Sequence, residues 1–387
     1  MTRRRVVTST LLAAVSILGL TASRTADPRA SASPNSGTYS MRVAPLQLRS
    51  IGVMTFGSDG ILYVADSRAG AVYAVDVGEA TRDTSTSGLM IQGVDTRIAE
   101  ALGASKDEIR IHDMVAHPLS QSLYFSVTKG RGETETPLIV RLTKQDKRVS
   151  VVGLDMIRHA RLELPDAASR DTTMPWEGFP RSFTMTHLAV GNGELYIAGL
   201  SNEEFKSTLR RATLPFGKTT VTTHVEIYHT SHNRFETASP IESLLPLTLN
   251  GRSVVLASYT CSPLVVFDRE ALTGTGVVRG KTVAELGGGN RPFDMVAYTS
   301  PKDGKRYMMI ANSHRTLMRF DLADIASAQG MTTAVKQAYQ PGGVPYLPVA
   351  SFGVLELDNY NSQNIVVLER DMANGALDVE TVALKWL

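Results

Sequence analysis

The sequence predicts an all-β fold, a six-bladed β-propeller, and three observations predict it. A strand–turn–strand unit recurs six times along the chain, with aligned starts at residues 52, 113, 187, 242, 294 and 353. The starts are 52 to 74 residues apart, which suits four-stranded blades with some long connections. Several of the internal turns are Asp-Gly or Asn-Gly, dipeptides that supply the positive φ a tight hairpin needs. A pair of β-sandwiches would require a linker near the middle of the chain, and none is visible.

Before the first unit lies a targeting segment. Arg3, Arg4 and Arg5 precede an uncharged run over residues 6–20, and the small residues Thr21, Ala22 and Ser23 follow. This pattern reads as a signal peptide over residues 1–26, and the run is short for a membrane span. Thr2-Arg3-Arg4-Arg5-Val6-Val7 also resembles a twin-arginine signal, whose pathway exports folded proteins. Residues 27–39, rich in Ala, Ser and Pro, read as a disordered mature N-terminus ahead of a single propeller domain over 40–387. The expected location is periplasmic or secreted.

Each unit is then legible in turn. The first runs through Gly52-Val53-Met54-Thr55-Phe56, Asp59-Gly60 and Ile61-Leu62-Tyr63-Val64-Ala65-Asp66 to Ala71-Val72-Tyr73-Ala74-Val75-Asp76. The second pairs Asp113-Met114-Val115-Ala116 with Leu123-Tyr124-Phe125-Ser126-Val127. In the third, His187-Leu188-Ala189-Val190 turns at Asn192-Gly193 into Leu195-Tyr196-Ile197-Ala198. The fourth has Glu242-Ser243-Leu244-Leu245 and Asn250-Gly251, and the fifth Asp294-Met295-Val296-Ala297 and Asp303-Gly304. The sixth is weaker: Gly353-Val354-Leu355-Glu356-Leu357, then Ile365-Val366-Val367-Leu368. A leading strand at 40–48 has no unit of its own, so it is expected to pair with the final strand at 378–387, closing the ring through the two chain ends.

The first unit resembles the NHL-repeat and gluconolactonase/paraoxonase-like propellers. The resemblance is one of architecture and is clearest in Asp59-Gly60-Ile61-Leu62-Tyr63-Val64-Ala65-Asp66. It implies a central channel in which Glu, Asn and Asp side chains hold a catalytic calcium. No full motif for that site matches here residue by residue.

Composition excludes other classes. Forty Lys+Arg against 38 Asp+Glu give a net charge of +2, far from the basic excess of a nucleic-acid binder. The one cysteine forms no internal disulfide and builds no Cys-rich metal cluster. No later stretch is apolar enough to span a membrane, and a monomer is expected.

In a propeller, the start of each innermost strand and the end of the next lie on one face. Asp113, His187, Glu242 and Asp294 fall at such starts, with His112 beside the first of them. Asn312, His314 and Cys261 fall at returning ends, and Arg110 and Arg291 each precede an Asp by three residues. One reading is a ligand or metal site at the channel mouth, for calcium or another divalent ion, with His admitting a transition metal. The plainer reading is that the acids cap strands and pair with the two arginines. His224, His229 and His232 cluster within nine residues, although no run of acids follows them, and Cys261 reads as a buried thiol or as a ligand. Two functions remain open. One is an exported propeller binding a small molecule or an extracytoplasmic protein at its channel mouth. The alternative is a metal-dependent hydrolase or lactonase of the gluconolactonase type.

Overall fold

Unbroken apolar strands set the architecture. All six residues of Ile61–Asp66 are buried. Alternate side chains explain why: Ile61, Tyr63 and Ala65 enter one hydrophobic cluster, whereas Leu62 and Val64 enter another on the opposite face. A strand buried on both faces lies in a sheet sandwiched between two others, which is the environment of a propeller blade. The computed structural model describes residues 40–169, 180–203, 206–216, 220–337 and 339–387. The expected signal peptide and disordered N-terminus at 1–39 lie outside them.

Among the described residues six sheets surround one axis. Blade I is Met54–Phe56, Ile61–Asp66, Ala71–Asp76 and Ile157–Glu163, with Arg42–Ala44 on its outer edge. Blade II is Ile109–Ala116, Leu123–Lys129, Thr136–Leu142 and Val149–Val151. Blade III contains His187–Gly191, Glu194–Leu200, Ser207–Thr213 and Val221–His229, and Arg234–Glu236 and Val277–Arg279 pair with its last strand. Blade IV is Ile241–Leu249, Arg252–Tyr259, Pro263–Asp268 and Lys281–Glu285, with Gly342–Gly343 outside. Pro292–Thr299, Arg306–Asn312, Leu317–Asp321 and Leu347–Val349 form blade V. Blade VI is Val354–Asn361, Asn364–Arg370, Leu377–Ala383 and, from far upstream, Met90–Ile91. The Asn-Gly turns have the expected positive φ at both positions: 53° and 74° at Asn192 and Gly193, 46° and 76° at Asn250 and Gly251.

The blades do not follow one another around the ring in chain order. Six hydrophobic clusters lie between neighbours, joining I to III, III to IV, IV to V, V to VI, VI to II and II back to I. After three strands of blade I, the chain covers the edge of blade VI with Met90–Ile91, builds blade II, and returns to complete blade I with Ile157–Glu163. A helix at Val94–Ala101 seals the VI–II cluster with Val94 and Ile98.

The expected closure by the chain ends is therefore corrected. Arg42–Ala44 pairs with Ile157–Glu163 in blade I, and Leu377–Ala383 pairs with Met90–Ile91. Each open edge is satisfied by a strand from another unit, so the ends have no need of one another. Trp386 plays no part in sealing the ring, since it is 77% exposed. No helix among the described residues is long and apolar enough to cross a membrane.

Candidate functional site: an acidic channel ring

The innermost strands share a β-bulge, and it decides which side chains meet at the axis. The register slips past His112 in blade II, Glu242 in IV, Phe293 in V and Leu355 in VI. The residue after each bulge resumes pairing: Asp113 opposite Ser126, Ser243 opposite Ser258, Asp294 opposite Ala311 and Glu356 opposite Leu368. In blade III both Thr186 and His187 pair with Ala198; in blade I, Ala65 bonds both Gly52 and Val53 before Met54 faces Val64. Taken around the ring, the equivalent positions hold Met54, His187, Ser243, Asp294, Glu356 and Asp113. Three carboxylates thus stand side by side, and Asp358 lies two residues beyond Glu356 on the same strand.

Three of these acids also tie blades together. Asp113 Oδ2 accepts the Met54 N–H of blade I at 2.5 Å. Asp294 Oδ2 accepts the Leu357 N–H of blade VI, and Asp358 Oδ2 accepts the Ala116 N–H of blade II, both at 2.8 Å. Across the ring, His187 Nε2 lies 3.2 Å from Asp294 Oδ1 and 3.4 Å from Ser243 Oγ. With Nε2–H donated to that carboxylate, the buried Nδ1 of His187 has no partner among the described residues.

The electrostatics follow from crowding and burial. Burial pushes Asp113 up to about 7, and the charge of Asp294 adds to it. Asp358 also rises to about 7, first through burial and then through Asp294 and Asp113. Glu356 is raised well above the usual carboxylate range by burial and by the same two neighbours. No Lys or Arg forms an ion pair with these four acids among the described residues. Glu356 accepts no hydrogen bond there, so both its oxygens are open to a metal, along with His187 Nδ1, whereas Asp113 is engaged by the Met54 and Met114 N–H groups. A divalent ion fits this set of mostly carboxylate oxygens.

The structure thus brings together Asp113, His187 and Asp294 of the expected set. Glu242 stays outside because it occupies the bulge itself; it accepts from Thr260 Oγ1 at 2.6 Å and pairs with Arg291 at 3.1 Å. Asn312 is buried at the end of the blade V strand Arg306–Asn312, bonded to Asn290, Ile310 and Thr316. His314 bonds Ser313 at 2.8 Å. His112 meets Thr128 Oγ1 at 2.7 Å, and burial followed by the nearby charge of exposed Arg110 lowers it to about 4. Cys261 sits away from the ring, in the turn between Arg252–Tyr259 and Pro263–Asp268. Sequence reasoning missed Glu356 and Asp358. The signal was present, because Glu356-Leu357-Asp358 occupies the place of Asp113-Met114-Val115 and Asp294-Met295-Val296.

Comparisons with known proteins give only distant likenesses. No family model matches the chain, and no curated protein matches it. Among solved structures it is similar to the β-propeller domain of Cps50 (Swd1) from Myceliophteria thermophila, at 11% identity over 86% of this chain and 83% of that one, with a TM-score of 0.34. It is also similar to the WD40 repeats of RRP9, at 10% identity over 89% and 97% of the two chains and a TM-score of 0.40. A chain of a mitotic checkpoint complex matches at 10% identity over 98% and 99%, with a TM-score of 0.31. Likeness this distant adds nothing about function. By its own sheets and clusters, the chain is an all-β six-bladed propeller with an acidic channel.

Proposed function

We propose that this is an exported propeller that binds its ligand through a divalent cation held in the central channel, calcium being the ion its oxygen donors suit. The observation that carries the reading is the row Asp294, Glu356 and Asp113, crowded into one half of the ring with no Lys or Arg paired to it among the described residues and only His187 against Asp294. Such a site holds protons until a cation replaces them. The three interblade hydrogen bonds leave Glu356 uncommitted, which makes it the natural ligand. The first 26 residues support export.

Calorimetric titration of chelator-treated protein with calcium tests this. The wild type should bind one ion with release of protons, and Glu356→Gln should lose most of the affinity while keeping its melting temperature. Equal binding by the two proteins, or no binding by either, would remove the channel site. At a hundredfold excess over Kd the ion should add about 2.7 kcal/mol of stability.

A further inference from the structure

Between blades III and IV lies a pocket of about 540 Å³, distinct from the channel and lined by His229, His232, Phe235, Glu236, Pro240 and Cys261 among others. The fold assembles it from three places. His229 ends the last strand of blade III, and Glu236 ends the short strand Arg234–Glu236 that folds back on it. Cys261 comes from a blade IV turn in which Cys261 and Ser262 both have positive φ, 66° and 100°. Non-glycine residues rarely adopt that conformation, and two in succession mark a backbone held by its surroundings.

One ring nitrogen of each histidine and the Cys261 sulfur lie within 4.8 Å of one another. Glu236 holds both rings: Oε2 takes His229 Nδ1 and Oε1 takes His232 Nδ1, each at 2.7 Å. Ser239 Oγ and Arg234 Nε fix that carboxylate in turn, at 3.0 and 2.8 Å. A carboxylate on Nδ1 sets the ring's orientation and leaves Nε2 to face a metal, which is how metal-bound histidines are usually supported; at His229 that Nε2 donates to the Cys261 carbonyl until a metal takes its place. His229 Nε2 rests 3.2 Å from the Cys261 carbonyl, on the side of the thiol. Two imidazoles and a thiol suit a borderline-soft ion and are poor ligands for calcium or magnesium.

We infer that His229, His232 and Cys261 form a second metal site, for zinc or a similar transition-metal ion, with Glu236 orienting both imidazoles. Three protein ligands leave a fourth tetrahedral position facing the pocket, open to water or to a donor atom of a small molecule. Binding displaces the thiol proton and a proton on His229 Nε2 to solvent, since the metal takes those lone pairs.

Cobalt(II) is the probe, because its thiolate charge-transfer band reports sulfur ligation directly. Reduced, chelator-treated wild type should take up one cobalt with that band, and one equivalent of zinc should displace it. Cys261→Ser should lose the band, and His232→Gln, which alters a half-exposed ring, should lose zinc affinity with its fold intact. Glu236→Gln should weaken zinc by roughly 10–100-fold. Glu356→Gln should leave this site unchanged, which separates the inference from the channel reading. A wild type without the band, or Cys261→Ser binding zinc as tightly as wild type, would overturn it. Rapid alkylation of a zinc-free thiol in place of metal uptake would do the same and mark Cys261 as a nucleophile.

Discussion

Asp294 shows how much one channel residue does: Oδ1 accepts from Met295 and His187, and Oδ2 from the next blade. The sequence placed it well because Asp-Met-Val-Ala recurs at 113 and 294. Glu242 was displaced by one position, because a bulge adds a residue without leaving a mark in the apolar pattern. The raised acids make stability depend on pH. Burial pushes the Asp358 carboxyl up to about 7 in the folded protein, against about 4 for an unfolded aspartate, so its favourable contribution is full below about pH 4 and is lost as pH rises through 7. Chelator-treated protein should therefore weaken from pH 4 to 8, and Asp358→Asn should flatten that decline; parallel urea-unfolding profiles for the two proteins would contradict it. Arg210 is a second test at this scale. Fully buried, it meets Asp166 at 2.8 Å and the carbonyls of Thr184 and Leu200. Arg210→Ala should cost about 3–5 kcal/mol in denaturant unfolding, because it strands a partly buried carboxylate and two carbonyls.

Strands that are apolar on both faces were readable, since every residue of Ile61–Asp66 and Glu194–Leu200 is buried. Outer strands were not. Met90–Ile91 is two residues long, and Ile157–Glu163 mixes buried apolar with exposed charged residues, so neither announces which blade it joins. Leu162, 3% exposed between blades I and III, tests the returning strand: Leu162→Ala should cost about 2–5 kcal/mol in chemical unfolding. Trp386→Ala should change the melting temperature hardly at all, because the ring is exposed. A large drop would show that Trp386 does take part in closing the ring. Gly199 marks a contact that only a missing side chain permits, since an added Cβ would lie 2.1 Å from the Thr184 carbonyl oxygen. Gly199→Ala should therefore destabilise by roughly 1–3 kcal/mol, read by the same unfolding assay.

At the scale of the whole molecule, blade number was legible and blade order was not. Repeat spacing counts units, but neighbours are chosen by which faces bury one another, and blade II inserts between I and VI although it follows I in the chain. That order brings Glu356 and Asp113 next to each other, extending to three the row of acids begun by Asp294. The channel site is thus a consequence of the ring order as well as of the residues. Anomalous diffraction from crystals grown with manganese(II), a hard ion suited to oxygen ligands and foreign to the Cys261 pocket, tests both together. The account predicts a single strong peak on the channel side of Glu356, between it and Asp113. A channel without a peak, or one in which Glu356 and Asp113 are not neighbours, would contradict it.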